Sequence, residues 1–182
     1  MAKLLVVVDM QNDFIDGALG SAAAKAIVSN VCRKIASWDG DIITTLDKHE
    51  ADYPHTLEGG MLPAHCMHQQ PGWELNQEVV LALAANKQIV SRICKPTFGS
   101  VLLAKAVQTW NDYDYVEFVG ICTDICVISN VLLVRAHNPN IPITVDASCC
   151  AGTTLENHHA ALDVMRSCLI NVVNDDREEA IT

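Results

Sequence analysis

Six short runs rich in Val, Ile and Leu recur along the chain with helix-like spacing between them. This alternation constrains the fold more than any other feature. The runs are KLLVVVD (3–9), DIITTL (41–46), QIVSRI (88–93), YVEFVGI (115–121), IPITVD (141–146) and LINVV (169–173). The first is continuously apolar rather than alternating, the pattern of a strand covered on both faces. Between the runs, AAAKAIVSNVCRKIASW sets Ile27, Val31 and Ile35 on one side of a helix. WELNQEVVLALAA, SVLLAKAVQTW, DICVISNVLLVRAH and ENHHAALDVMRSC behave alike. Such β-α alternation predicts a three-layer α/β/α architecture, Rossmann-like, around a mostly parallel six-stranded sheet with right-handed crossovers. The 182 residues, half of them apolar and without an obvious linker, lead us to expect one domain over 1–182.

Charge and cysteine usage narrow the function classes. The net charge is -10 and the twelve Lys and Arg residues are scattered, with no basic stripe to follow a phosphate backbone. Nucleic-acid binding is therefore not expected. The opening MAKLLVVVDM is too short an apolar run for a secretory signal or a membrane span, so a soluble cytoplasmic protein without membrane association is expected. Eight cysteines occur (32, 66, 94, 122, 126, 149, 150, 168), mostly inside apolar runs and never as CxxC, which favours free thiols over disulfides. The acidic tail NDDREEAIT reads as a solvated end.

In an open parallel sheet, ligands bind beyond the carboxyl ends of the strands. The residues there are Asp9, Asp47 with His49, Lys95, and the turn Gly120–Cys126. A thiol near a helix start meets backbone N–H groups that favour negative charge, and the same groups can hold an oxyanion. Asp9 ends an apolar strand, where desolvation favours its protonated form, so it can take a thiol proton and return it to a leaving amine. Lys95 would lower the thiol pKa and orient the carboxylate. Taken singly, each residue has a plainer reading: Cys126 as a packed core thiol, Asp9 as a helix cap, Lys95 as a solvated charge. From Asp47 to Gly72 periodicity lapses, while four histidines, three prolines and a Gly-Gly pair appear. A long irregular connection in a compact domain is usually functional or disordered, and the histidines favour function. The pair Asp47-x-His49 and a later imidazole at His65 could supply three protein ligands to a reactive metal site, with zinc, manganese or iron(II) all suited.

Together, VVVDMQNDF, KPTFGS and GICTDICV resemble the three signature segments of the isochorismatase-like cysteine hydrolases, in order and over nearly the whole chain. The resemblance implies the isochorismatase-like hydrolase fold and a catalytic triad of Asp9, Lys95 and Cys126. It also implies a cis peptide between Ile121 and Cys122, and an oxyanion hole formed by the N–H groups of Cys122 and Cys126. LDKH with LPAHC and PGWEL resembles the nicotinamidase branch. From that branch follow one divalent metal ion, zinc first with manganese or iron as alternatives, held by Asp47, His49 and His65, with Glu58 as a further ligand. In the family, the metal holds the substrate's pyridine nitrogen and orders water. Phe14, Phe98, Leu62 and Ile121 would contact the substrate. Leu62 stands where the family usually has Trp or Phe, which leaves the ring less sandwiched. The implied activity is hydrolysis of nicotinamide to nicotinic acid and ammonia through a Cys126 thioester, in NAD salvage, by a homo-oligomer. Two rivals are a family amidohydrolase acting on a carbamoyl or small amide substrate, and a thiol- or metal-binding sensor module.

Overall fold

In the computed structural model, residues 2–86, 88, 90–109 and 113–179 are described. Six strands form one sheet: β1 (Lys3–Val8), β2 (Asp41–Asp47), β3 (Val90–Lys95), β4 (Tyr115–Ile121), β5 (Ile143–Ala151) and β6 (Asn171–Val173). Their order is β3-β2-β1-β4-β5-β6, and every neighbouring pair is parallel. This is a doubly wound sheet, whose winding reverses between β1 and β4, and ligands gather at the strand tips beside such a reversal.

The helices α1 (Asn12–Ile15), α2 (Ala22–Ser37), α3 (Gln77–Ala85), α4 (Val101–Thr109), α5 (Ile128–His137), α6 (Leu155–Ser167) and α7 (Asp176–Glu179) complete the layers. Because side chains alternate along a strand, β1 feeds both cores. Leu4, Val6 and Val8 join Leu103, Val107, Val131, Val134, Leu162 and Met165 from α4, α5 and α6. Leu5 and Val7 join Ile27, Val31, Ile35, Val79 and Leu83 from α2 and α3. Polar caps set the helix starts. Ser21 accepts from the Ala24 N–H at 3.0 Å, Asn76 from Glu78 at 3.0 Å and Thr154 from Asn157 at 3.0 Å. One charged cluster sits under α2, where Lys34 Nζ lies 2.6 Å from Glu117 and 2.8 Å from Asp146 on adjacent strands. No helix among the described residues is long and apolar enough to cross a membrane.

Some boundaries differ from the sequence pattern. The third strand runs to Lys95 rather than stopping at Ile93, so the lysine is the last strand residue; position 89 lies outside the described residues. The fifth continues to Ala151 because Cys149, Cys150 and Ala151 are also buried. Trp73 of WELNQ ends the 3-10 turn Pro71–Trp73 rather than opening a helix, and α3 begins only after the Asn76 cap. Trp110, expected to end the fourth helical segment, lies outside the described residues. The acidic tail is more than a solvated end, because Asp175 is buried and bound by Arg166 and Arg177, and α7 follows it.

Candidate active site

Asp9 directly follows β1, with a left-handed φ of 49° that a non-glycine residue adopts at a cost. Its carboxylate is wholly buried, with Oδ1 accepting from the Thr45 hydroxyl at 2.6 Å and Oδ2 2.6 Å from Lys95 Nζ. The lysine reaches this point from β3 across β2. Its ammonium also lies 3.6 Å from Cys126 Sγ and 3.6 Å from Asp47 Oδ1. The thiol, acid and ammonium picked out at three distant strand tips thus meet.

Cys126 does not stand in an α-helical turn as expected. Thr123–Val127 forms a π-helical turn, in which the Val127 and Ile125 N–H groups both donate to the Cys122 carbonyl, at 3.0 and 3.1 Å. Such turns recur at functional sites. The Ile121–Cys122 peptide is cis, as the resemblance implied. Two contacts tether the turn to the end of β5 and to α6. Thr123 Oγ1 pairs with His158 Nδ1 at 2.7 Å, and Asp124 accepts from the Thr153 N–H at 2.8 Å and its hydroxyl at 2.5 Å. No sequence signal marked His158 or Thr153, because their part depends on contacts across about thirty residues.

The electrostatics correct one expectation. Burial pushes the Cys126 thiol well above its usual range, with the Asp9 carboxylate adding to the rise and Lys95 only partly opposing it. This direction is opposite to the lowering expected from Lys95 and the helix start. Burial likewise raises Asp9, against the pull of Lys95. Lys95, beside two carboxylates, is held firmly protonated despite its burial.

Next to these groups, Asp47, His49, Glu58 and His65 present ligand atoms that all lie within 4.8 Å of one another. The Gln11 amide clamps Asp47, donating to its carbonyl at 2.8 Å and accepting from its N–H at 2.7 Å. His49 is fixed by backbone bonds to Cys66 and His68, and Tyr53 packs on its ring at 4.2 Å. His65 Nδ1 pairs with the Pro63 carbonyl at 2.9 Å, which leaves Nε2 facing the cluster. The imidazole-to-carboxylate separations are 2.9, 3.3, 3.6 and 3.7 Å. Metal bonds of about 2.1 Å in a tetrahedral site require ligand atoms roughly 3.4 Å apart. Glu58 Oε1, which faces both imidazoles, is a buried acceptor without a hydrogen-bond donor. Both observations fit a divalent cation.

A cavity of about 370 Å³ opens over both groups. Phe14, Leu62, Phe98 and Ile121, the four residues expected to contact substrate, line it with Cys122, Cys126, Asp47, Glu58 and His65. Leu19, Ile125, Gly152 and Thr153 also line it and were not foreseen. A larger cleft of about 440 Å³ adjoins across Ser21, Gly152 and Thr153, but no member of either cluster lines it.

A family model of the isochorismatase domain matches residues 3–176. The chain belongs to the isochorismatase family. This family member is 24% identical to a nicotinamidase of Schizosaccharomyces pombe, over 94% of this chain and 92% of that protein. Among solved structures, it is similar to a nicotinamidase/pyrazinamidase from Bacillus subtilis, with a TM-score of 0.79 and 25% identity over 94% of this chain and 99% of that one. It is also similar to a pyrazinamidase of Pyrococcus horikoshii in complex with zinc, with a TM-score of 0.76 and 26% identity over 96% and 100% of the two chains. The isochorismatase-family chain is accordingly a hydrolase, and its fold is the isochorismatase-like α/β fold anticipated from the strand pattern.

Proposed function

We propose that this hydrolase is a metal-containing nicotinamidase, releasing ammonia from nicotinamide to leave nicotinic acid. The observation that carries the reading is the convergence of Asp9, Lys95 and Cys126 beside the Asp47, His49, Glu58 and His65 cluster, under a cavity that Cys126, Asp47, Glu58 and His65 line together with Phe14 and Phe98. The similarity to nicotinamidases supports the substrate.

The Asp9 carboxylate takes the proton of the Cys126 thiol as the sulfur attacks the carboxamide carbon. Backbone N–H groups of Cys122 and Cys126 receive the developing oxyanion. Collapse of the tetrahedral adduct expels ammonia with the proton from Asp9 and leaves a thioester on Cys126. Asp9 then takes a proton from water as it attacks the thioester carbonyl. The sulfur leaves, recovers that proton, and nicotinic acid is released. Lys95 holds Asp9 in place and balances its charge. Asp47, His49, His65 and Glu58 would hold one divalent ion, zinc first with manganese or iron(II) as alternatives. Such an ion supplies a Lewis-acid contact for the pyridine nitrogen and for water. Phe14 and Phe98 flank the flat ring, with Leu62 and Ile121 as aliphatic walls. With this reading go a single domain over 1–182, a homo-oligomeric assembly, a cytoplasmic location and a role in NAD salvage.

The test assays metal content and ammonia release on one sample, with nicotinamide beside carbamoyl and small aliphatic amides. Nicotinamide turnover that chelation lowers, metal restores and Cys126→Ala abolishes is expected. Preference for an aliphatic or carbamoyl substrate would move the protein to another amidase of the family, and turnover retained without Cys126 would end the mechanism.

A further inference from the structure

Asn130 is fully buried on α5, one helical turn past Cys126, in a helix whose other buried residues, Val131 and Val134, are apolar. A buried amide in such a place has to be paired. Its Oδ1 accepts from the Ser100 N–H at 2.9 Å. Its Nδ2 donates to the Cys126 carbonyl at 2.8 Å and to the Phe98 carbonyl at 3.2 Å. One side chain therefore joins the turn carrying the nucleophile to the backbone at Phe98 and Ser100. Between those anchors, Gly99 lies so close to α5 that an added Cβ would stand 2.6 Å from Leu133 Cδ1 and 3.2 Å from Ser129 Cβ.

Phe98 itself is 40% exposed at the cavity wall, so packing does little to fix its ring and its placement rests on the backbone beneath it. We propose that Asn130 is a positioning residue, which fixes the segment carrying Phe98 against the Cys126 turn and so sets the gap between ring wall and sulfur. The inference rests on the amidase reading above, in which Phe98 flanks the substrate.

The test is a double-mutant cycle of wild type, Phe98→Ala, Asn130→Ala and the double variant. It is run on whichever amide of the panel the wild type hydrolyses fastest. Phe98→Ala is expected to lower kcat/KM about three- to tenfold, chiefly through KM, as loss of an aromatic contact does. Asn130→Ala is expected to raise KM similarly, and the double variant to be no worse than the poorer single one. Losses that multiply would mean two independent effects and overturn the proposal. So would a folded Asn130→Ala enzyme with unchanged KM, because a merely structural residue lowers stability and active fraction only. If Asn130→Ala does not fold, Gly99→Ala takes its place, pushing the segment off α5 without removing a polar group. Non-additivity with Phe98→Ala supports the proposal, and additivity overturns it. A wild type that releases ammonia from none of the amides would instead sink the amidase reading itself.

Discussion

Burial and charge compete at Cys126, and burial prevails. A free thiol has a pKa of about 8.5, and one ammonium 3.6 Å away would lower it in a polar setting. Here the sulfur is desolvated and faces Asp9, and both raise the thiol. Two outcomes follow. Inactivation by iodoacetamide at Cys126 should keep accelerating as pH rises through neutrality, whereas a plateau below pH 7 would reveal a pre-formed thiolate. In the proposed mechanism the acid limb of kcat/KM would report Asp9, whose burial raises it above the ordinary aspartate value of about 3.9. The basic form is the active one, so activity should fall as pH drops through that raised value. Asp9→Asn should lose that limb and at least about 100-fold in rate.

The elements that present these groups leave little freedom at their ends. Gly120, the penultimate residue of β4, has φ +124°, and a Cβ there would stand 2.1 Å from the Val8 carbonyl of β1. Gly120→Ala should therefore destabilise the fold by more than about 2 kcal/mol, read as a lower urea midpoint at unchanged slope. Much of this scale was legible in the sequence, because a continuously apolar strand and helical spacing report burial directly. The tips were legible as well, since Asp9, Asp47, Lys95 and Cys126 each end or follow an apolar run. What escaped was geometry that periodicity does not encode. The spacing of DICVISN reads alike whether the first turn closes four or five residues back, so the π-turn was missed. The Thr123–His158 and Asp124–Thr153 tethers, and the triple role of Asn130, join segments that nothing in their local sequence relates. A helix-start argument also gave the opposite direction for the thiol pKa, because burial is a property of the packed site.

For the whole molecule, the candidate cation site and the charged clusters bear on stability. Asp47, buried, and Glu58, half-buried, set two carboxylates close together, and a cation that binds only the folded state adds about 2.7 kcal/mol at a hundred times its Kd. Zinc should raise Tm measurably, and His49→Ala should remove that rise. Burial raises Asp146, but hydrogen bonds from Lys34, Asn174 and Ser148 outweigh it and leave the carboxylate below its usual range. A depressed folded pKa gives stability that is complete above the unfolded value of about 3.9 and is lost as pH falls through the folded one. Asp146→Asn should thus be less stable than wild type at neutral pH, and the gap should close in acid. The covalent role proposed for Cys126 is tested most directly by quenching the enzyme while nicotinamide is supplied and mapping the peptides by mass spectrometry. One nicotinoyl group is expected on the peptide containing Cys126, lost on treatment with hydroxylamine. Steady turnover with Cys126 unmodified and another residue acylated would contradict it.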